Sequence, residues 1–377
     1  MSRYLSLFMV AASALLSVSA DAREMWTKEQ AEAWYAGQPW MVGANYNNRS
    51  AINQLEMWQA DTFNPREIDE ELGWASAIGM NVMRVYLHNL LWEDDAAGLK
   101  QRMETFLQIA DKHKIRIVFV LFDSCWDPNP KLGPQHPPIP GIHNSGWVQA
   151  PGAARLADKG EYGKLEAYVK DIVGHFATDR RIVAWDVWNE PNNSGGGMGY
   201  YAATPNKKEL VAGLLGAVFA WARSADPSQP LTSGLWTGDD WDKLEKRDAV
   251  EKIQLTQSDV NSFHDYGWPE QFERRAKQML SYGRPVLVTE YMARGNGSTF
   301  DGSLPLGQKY NLAMINWGLV DGKSQTRLPW DSWKKPYTFD QPTIWFHEVF
   351  RADGKPYRQA EIDLIKRLTS ETNGARR

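Results

Sequence analysis

The chain has 377 residues, 43% of them hydrophobic and 23% charged, enough to bury a large core as one big α/β domain or two smaller ones. The formal net charge is −4 with no block of like charges, which argues against nucleic acid or an anionic membrane as a partner. Tryptophan is the outlier, with 18 residues against 14 Tyr and 13 Phe; composition alone does not divide them between core packing and stacking on sugar rings. Cys125 is the single cysteine, so no intrachain disulfide can form. With no His close in sequence to activate it, Cys125 reads as a packed thiol.

Met1-Ser2-Arg3-Tyr4 carries a positive charge, and residues 5–18 are apolar with small side chains. This pattern predicts an export leader over 1–22, cleaved after Ala20 or Ala22, and a secreted or periplasmic mature chain over 23–377. The apolar run is short for a membrane span, and no later run is longer. Beyond the leader, strand-like runs and helical patterns alternate eight times. Strands are expected at 40–46, 81–87, 116–122, 182–188, 231–236, 260–264, 286–290 and 315–320. Helices are expected at 65–78, 99–113, 162–177, 208–224, within 240–253, at 269–281, 306–314 and 361–368. The first strand ends in Gly43-Ala44-Asn45-Tyr46-Asn47, without the Gly-rich phosphate loop of an open doubly wound sheet. Eight β-then-α units therefore predict an α/β fold, a single-domain (β/α)8 TIM barrel with long loops after strands 3 and 8. Those insertions, over 123–161 and 321–360, hold Trp147, Trp330, Trp333 and Trp345 and should wall the carboxyl face of the barrel.

Two glutamates close apolar runs: Glu190 in Trp188-Asn189-Glu190-Pro191 and Glu290 in Val288-Thr289-Glu290-Tyr291. Carboxylates at the carboxyl ends of barrel strands are the usual address for catalysis. Strands four and seven lie across the barrel from one another, so the pair can face a single bond. Two carboxyl groups roughly 5–5.5 Å apart cleave a glycosidic bond with retention, and roughly 6.5–9.5 Å apart with inversion. Arg84, inside the buried-type run Val82 to Tyr86, requires a carboxylate partner. The seven histidines, His88, His113, His136, His143, His175, His264 and His347, show no His-x-His or His-x-x-x-His spacing, so neither a metal nor another cofactor is expected. His88 and Asn89, past strand two, are candidates for sugar contacts; His136 and His143 lie in the Pro-rich loop.

Trp188-Asn189-Glu190-Pro191 ending a fourth strand, with Glu290 ending a seventh, resembles clan A of the retaining glycoside hydrolases. The nearest family is family 5, the cellulase and mannanase family, over essentially the whole mature chain. The resemblance implies Glu190 as acid/base and Glu290 as nucleophile. It further implies Asn189 on the sugar 2-hydroxyl, Arg84 and Tyr266 on the nucleophile, His264 on substrate and Trp317 as a sugar platform. One departure stands out: Asp123-Ser124-Cys125-Trp126 occupies the end of strand three, where many members carry His. The expected activity is hydrolysis of β-linked glycans, β-mannosides or β-glucosides ahead of β-xylosides, in a partly closed site that favours chain ends or oligosaccharides. Alternatives are an endo-acting polysaccharide hydrolase, a transglycosylase, and a non-catalytic glycan-binding barrel.

Overall fold

The computed structural model describes residues 22–194 and 201–375; the expected leader lies, but for Ala22, outside them. The chain begins with α1 (Lys28–Ala36), then β1 (Val42–Asn45), α2 (Gln54–Trp58), α3 (Pro65–Ala77), β2 (Val82–Tyr86) and α4 (Asn89–Lys112). It continues through β3 (Arg116–Val120), α5 (Ala153–Ala157), α6 (Tyr162–His175), β4 (Ile182–Asp186), α7 (Lys207–Ser224), β5 (Leu231–Thr232) and α8 (Ala249–Gln257). The last third holds β6 (Asn261–Asp265), α9 (Pro269–Leu280), β7 (Val286–Tyr291), α10 (Phe300–Lys309), β8 (Ala313–Asn316) and α11 (Gln359–Ala375). All strand pairs are parallel, in the order β5-β4-β3-β2-β1-β8-β7-β6. The seam between β5 and β6 is stitched by Asp259 N–H to Leu231 O (2.8 Å), Leu235 N–H to Ser262 O (3.1 Å) and His264 N–H to Leu235 O (2.8 Å). The result is a (β/α)8 barrel. Among the described residues no helix is long and apolar enough to cross a membrane.

Side chains alternate across each strand with period two, and the two faces can be followed in the packing. Met83, Val85, Ile117 and Phe119 join the main core under the helices, while Val82, Val118, Leu287 and Ala313 form a separate layer inside the barrel floor. Helix α1, which the hydrophobic pattern did not announce, supplies Ala31 and Tyr35 to that inner layer and so plugs the amino-terminal end. It is held there by the Arg23–Asp259 ion pair at 2.6 Å and by Arg284 donating to the Trp26 carbonyl at 3.0 Å.

Two elements lie elsewhere than expected. Helix α10 starts at Phe300 because the Thr299 side chain accepts from Gly302 N–H as its cap, and it ends where Asn311 turns left-handed at φ 51°. Strand β8 accordingly runs over Ala313–Asn316 and not 315–320, so that residues 313 and 314, expected at the end of the helix, open the strand. Helix α8 begins at Ala249, set by a capping box between Asp248 and Glu251, so most of the expected 240–253 segment precedes it. The short helices α2 and α5 were also not foreseen. Strand β1 meets β2 so closely that a Cβ added at Gly43 would stand 1.6 Å from the Val82 carbonyl oxygen. Gly43→Ala is therefore expected to destabilise the fold by about 3 kcal/mol or more, read as a lowered denaturation midpoint with an unchanged m-value.

Candidate active site

The period-two rule places Arg84 and Tyr86 on the inner face of β2, above Val82. On β4 and β7 the rule alone does not suffice, because each contains a register shift. Ile117 pairs with Ile182 and Val118 with Ala184, leaving Val183 as an extra residue; Phe263 pairs with Val288 and His264 with Glu290, leaving Thr289 as another. Such bulges re-aim the side chains that follow. The β7 bulge turns Glu290 to the same side as Leu287. It is pinned by Asn45, whose amide donates to the Thr289 carbonyl at 2.7 Å. Glu190 leaves β4 with φ 43°, a conformation rare for a residue with a side chain. Around it the Trp188 indole donates to Ser124 Oγ, which donates to the Pro191 carbonyl, both at 3.0 Å, and Lys207 Nζ donates to the Ser124 carbonyl at 2.7 Å.

Glu290, buried, receives three kinds of donor. Oε1 accepts from Arg84 Nη1 and from the Tyr86 hydroxyl, each at 3.1 Å, and Oε2 accepts from the Tyr266 hydroxyl at 2.6 Å. Glu190, also buried, accepts on Oε2 from the Asn193 amide at 2.7 Å and from the Cys125 thiol at 3.4 Å. His264 Nδ1 stands between them, 2.9 Å from Glu190 Oε1 and 3.5 Å from Glu290 Oε2. The three groups offer atoms all within 4.8 Å of one another. This is a metal-ligand spacing that no linear histidine motif reveals, but both oxygens of Glu290 are already engaged by Arg84 and the two phenols. Arg84 also bridges to Asp186 Oδ2 through Nε (3.1 Å) and Nη2 (2.7 Å), and donates to Asn189 Oδ1 at 2.7 Å. Asn189 in turn donates to Asp123 Oδ1 at 2.8 Å, which fixes which way its amide faces.

Burial raises both Glu190 and Glu290 above the ordinary carboxylate range, and their neighbours then differ. Glu290 is pulled back toward the charged form by His264 where that ring is protonated, and by Arg84 and the Tyr266 hydroxyl, and is pushed up by the charge of Glu190. Glu190 is pulled back mainly by neutral donors, the Asn193 amide and Cys125. Burial lowers His264 to about 4, so at neutral pH its ring is uncharged and can accept from a protonated Glu190. Burial disfavours the Arg84 charge, but Tyr86, Asp186 and Glu290 outweigh it and hold the guanidinium firmly protonated. Burial, with Asp123 and Glu190 beside it, pushes the Cys125 thiol well up. Cys125 is thus an unactivated thiol, as its sequence context suggested, yet it sits against a catalytic-type carboxyl.

These groups open onto a cleft lined by Cys125, Trp126, Trp147, Trp236, Trp317 and Trp330, together with His143, Asn144 and Asn193. Every sequence-derived site residue, Arg84, Asn189, Glu190, His264, Tyr266, Glu290 and Trp317, lies in or directly beneath this cleft. Two weaker candidates do not. His88 is fully buried, accepting from Leu90 N–H as the cap of α4, with its other ring nitrogen on the Gln149 carbonyl. Asn89 is spent on Glu93 at 2.8 Å. His136 is exposed, whereas His143 is buried in the cleft wall, bonded to the Leu328 carbonyl at 2.9 Å. Reasoning from sequence missed Asn45, Tyr86, Asp123, Asp186, Asn193 and Trp236. Tyr86 shares the inward parity of Arg84 on β2 and could have been found by it.

The Cellulase (glycosyl hydrolase family 5) model matches residues 43–336. The chain belongs to glycosyl hydrolase family 5. A probable mannan endo-1,4-beta-mannosidase F of Aspergillus flavus is 23% identical over 224 residues, 53% of this chain and 43% of that protein, so the match spans less than half of that relative's length. An endo-beta-1,4-mannanase from Thermotoga petrophila superposes with a TM-score of 0.57 at 14% identity, covering 91% of this chain and 79% of that one. An exo-beta-1,4-mannosidase from an Opitutaceae bacterium superposes with a TM-score of 0.59 at 16% identity, covering 89% and 60%. At these identities the two superpositions speak for the barrel alone.

Arg84 is fully buried against two carboxylates. Removing one partner of a buried ion pair costs about 3–5 kcal/mol, so Arg84→Ala is expected to lower stability by that amount in guanidinium denaturation. An unchanged midpoint would contradict the pairing.

Proposed function

We propose that this chain is an exported retaining β-glycosidase acting on the ends of β-mannosidic chains. The observation that carries the mechanism is that one oxygen each of Glu190 and Glu290 lie within 4.8 Å of one another, with His264 beside both, an approach nearer the roughly 5–5.5 Å of double displacement than the roughly 6.5–9.5 Å of inversion. In the first step Glu190 protonates the glycosidic oxygen as Glu290 attacks the anomeric carbon. Arg84, Tyr86 and Tyr266 hold Glu290 ionised and aimed. The C–O bond breaks and a glycosyl ester on Glu290 forms. In the second step Glu190 takes a proton from water, which attacks the same carbon and releases Glu290. Asn189 is oriented by Arg84 and Asp123, and its second amide hydrogen meets only the weak acceptor Cys125 Sγ at 3.5 Å, which the sugar 2-hydroxyl can displace; Trp317 offers a ring face.

Action at chain ends is supported by the loops. The β3 and β8 loops are bonded across the mouth: Asn144 N–H to Ser324 O (2.8 Å), His143 N–H to Ser332 Oγ (3.0 Å), Tyr337 N–H to Gly141 O (2.9 Å), and Gln325 Nε2 to the Ile139 and Ile142 carbonyls (2.8 and 2.9 Å). A polymer lying through an open groove would have to cross this bridge. Mannosides are favoured over glucosides by what the relatives are named for, and export by the leader pattern over 1–22.

With an aryl β-mannoside, proton NMR should show the β-anomer as the first product; an α-anomer would sink the retaining mechanism. Glu290→Ala should lower kcat by on the order of 10⁴-fold or more, and rapid thinning of a mannan solution would overturn the chain-end reading. Because burial raises both carboxyls, the bell of kcat/KM against pH should be displaced above the ordinary carboxylate range. Its acid limb marks protonation of the pair that disables Glu290, and its alkaline limb the loss of the Glu190 proton. With a good leaving group, Glu190→Gln should keep kcat/KM, which reports the first step, and lose its alkaline limb, while kcat falls because the second step has lost its base.

A further inference from the structure

Beyond the cleft, between Trp147, Trp317 and Tyr86, lies a second, smaller cavity of about 30 Å³. It holds one or two waters or a hydroxymethyl group and is too small for another pyranose ring. Asn144, Trp147 and Trp317 line both spaces, so the cavity is the inner end of the cleft and not a separate void. The three aromatic rings meet edge to face, Tyr86 at 5.0 Å from Trp147 and 6.0 Å from Trp317. Tyr86 also bonds Glu290, which puts the cavity on the nucleophile's side of the site.

The polar lining is unusual. Asn144 and Glu348 are each 1% exposed, and Asn144 Oδ1 and Glu348 Oε2 have no hydrogen-bond partner. Each orphaned buried acceptor costs about 1–3 kcal/mol, and both side chains that carry one line this cavity. The other oxygen of Glu348 accepts from the Thr326 hydroxyl, which lies 3.3 Å from Ser324 Oγ, so a donor chain fixes the carboxyl in place. Gly318 leaves room for it: a Cβ there would meet Glu348 Oε2 at 3.0 Å. Burial pushes the Glu348 carboxyl well above its ordinary range. With Oε1 accepting from Thr326, the proton then sits on Oε2, which can donate to the oxygen of a hydroxyl whose own hydrogen Asn144 Oδ1 accepts.

We infer that this cavity receives the distal polar edge of the terminal sugar, its C4 hydroxyl or C6 hydroxymethyl, and that Glu348 and Asn144 are specificity-determining residues. The inference rests on the glycosidase reading above. With the anomeric carbon at Glu290 and the ring against Trp317, the C4–C6 edge is the part of a pyranose farthest from the scissile bond. Ser324 and Thr326 line the same cavity and belong to the loop bridge, so a further sugar on O4 would run into the wall.

The test is kcat/KM of the full-length enzyme on a 4-nitrophenyl β-mannoside and on its 4-deoxy, 6-deoxy and 4-O-methyl analogues. Glu348→Ala and Asn144→Ala should each lose about 10- to 100-fold on the parent sugar, with Glu348→Gln recovering part of the loss. On one of the two deoxy analogues the alanine variants should fall within about twofold of the unmodified enzyme, since the partner hydroxyl is gone; which analogue behaves so identifies the hydroxyl. Equal fold losses on every substrate would make the two residues merely structural and overturn the inference. So would cleavage of the 4-O-methyl sugar at the parent rate. Melting curves show that each variant is folded. An unmodified enzyme inactive on aryl β-mannosides and β-glucosides alike would instead overturn the glycosidase reading, and this inference with it.

Discussion

A single guanidinium organises this site. Arg84 lies with no exposure to solvent and touches Asp186, Glu290, Asn45, Asn189 and Tyr86 at once. A lone charge at that depth would be prohibitive, so its position on β2 is tenable only because β1, β4 and β7 bring acceptors to the same level. The dependence runs both ways. Asp186 and Glu290 each bond the same guanidinium, which offsets the repulsion between the two carboxylates. The barrel's closure, the aim of the β7 carboxylate and the orientation of the Asn189 amide thus share one electrostatic centre.

Much of this was legible in the amino-acid sequence. Eight alternations of period-two and helical patterns sufficed for the barrel, since buried parallel strands read as short apolar runs and parallel strands demand crossover helices. Glu190 and Glu290 stood out because each ends such a run. The boundaries that failed were those set by one side chain: the Thr299 cap and the left-handed Asn311 moved α10 and β8, and neither acts through hydrophobicity. The bulges at Val183 and Thr289 are invisible for a related reason. They are relations between neighbouring strands, and a strand read alone carries no register.

The supporting residues were legible in proportion to how much of their role is local. Arg84 announced itself as a charge within an apolar run, and Tyr86 could be inferred from parity along the same strand. Asn193 and Trp236 could not: each sits in a loop, and only the folded chain brings it to the cleft. His88 and Asn89 misled because standing just past a strand end was taken for facing the cleft, whereas His88 turns inward to cap α4. Cys125 keeps a neutral donor beside Glu190.

The bridge between the β3 and β8 loops has a consequence for how such an enzyme can diversify. The two segments are far apart in the chain, yet Asn144 meets Ser324 and Gly141 meets Tyr337 through main-chain bonds. Neither loop is an independent module. Grafting one of them from a relative would remove half of a shared ladder and leave the other half searching for partners. Changes in the shape of this barrel mouth should accumulate as matched pairs of edits on the two loops, a constraint that an open groove does not impose.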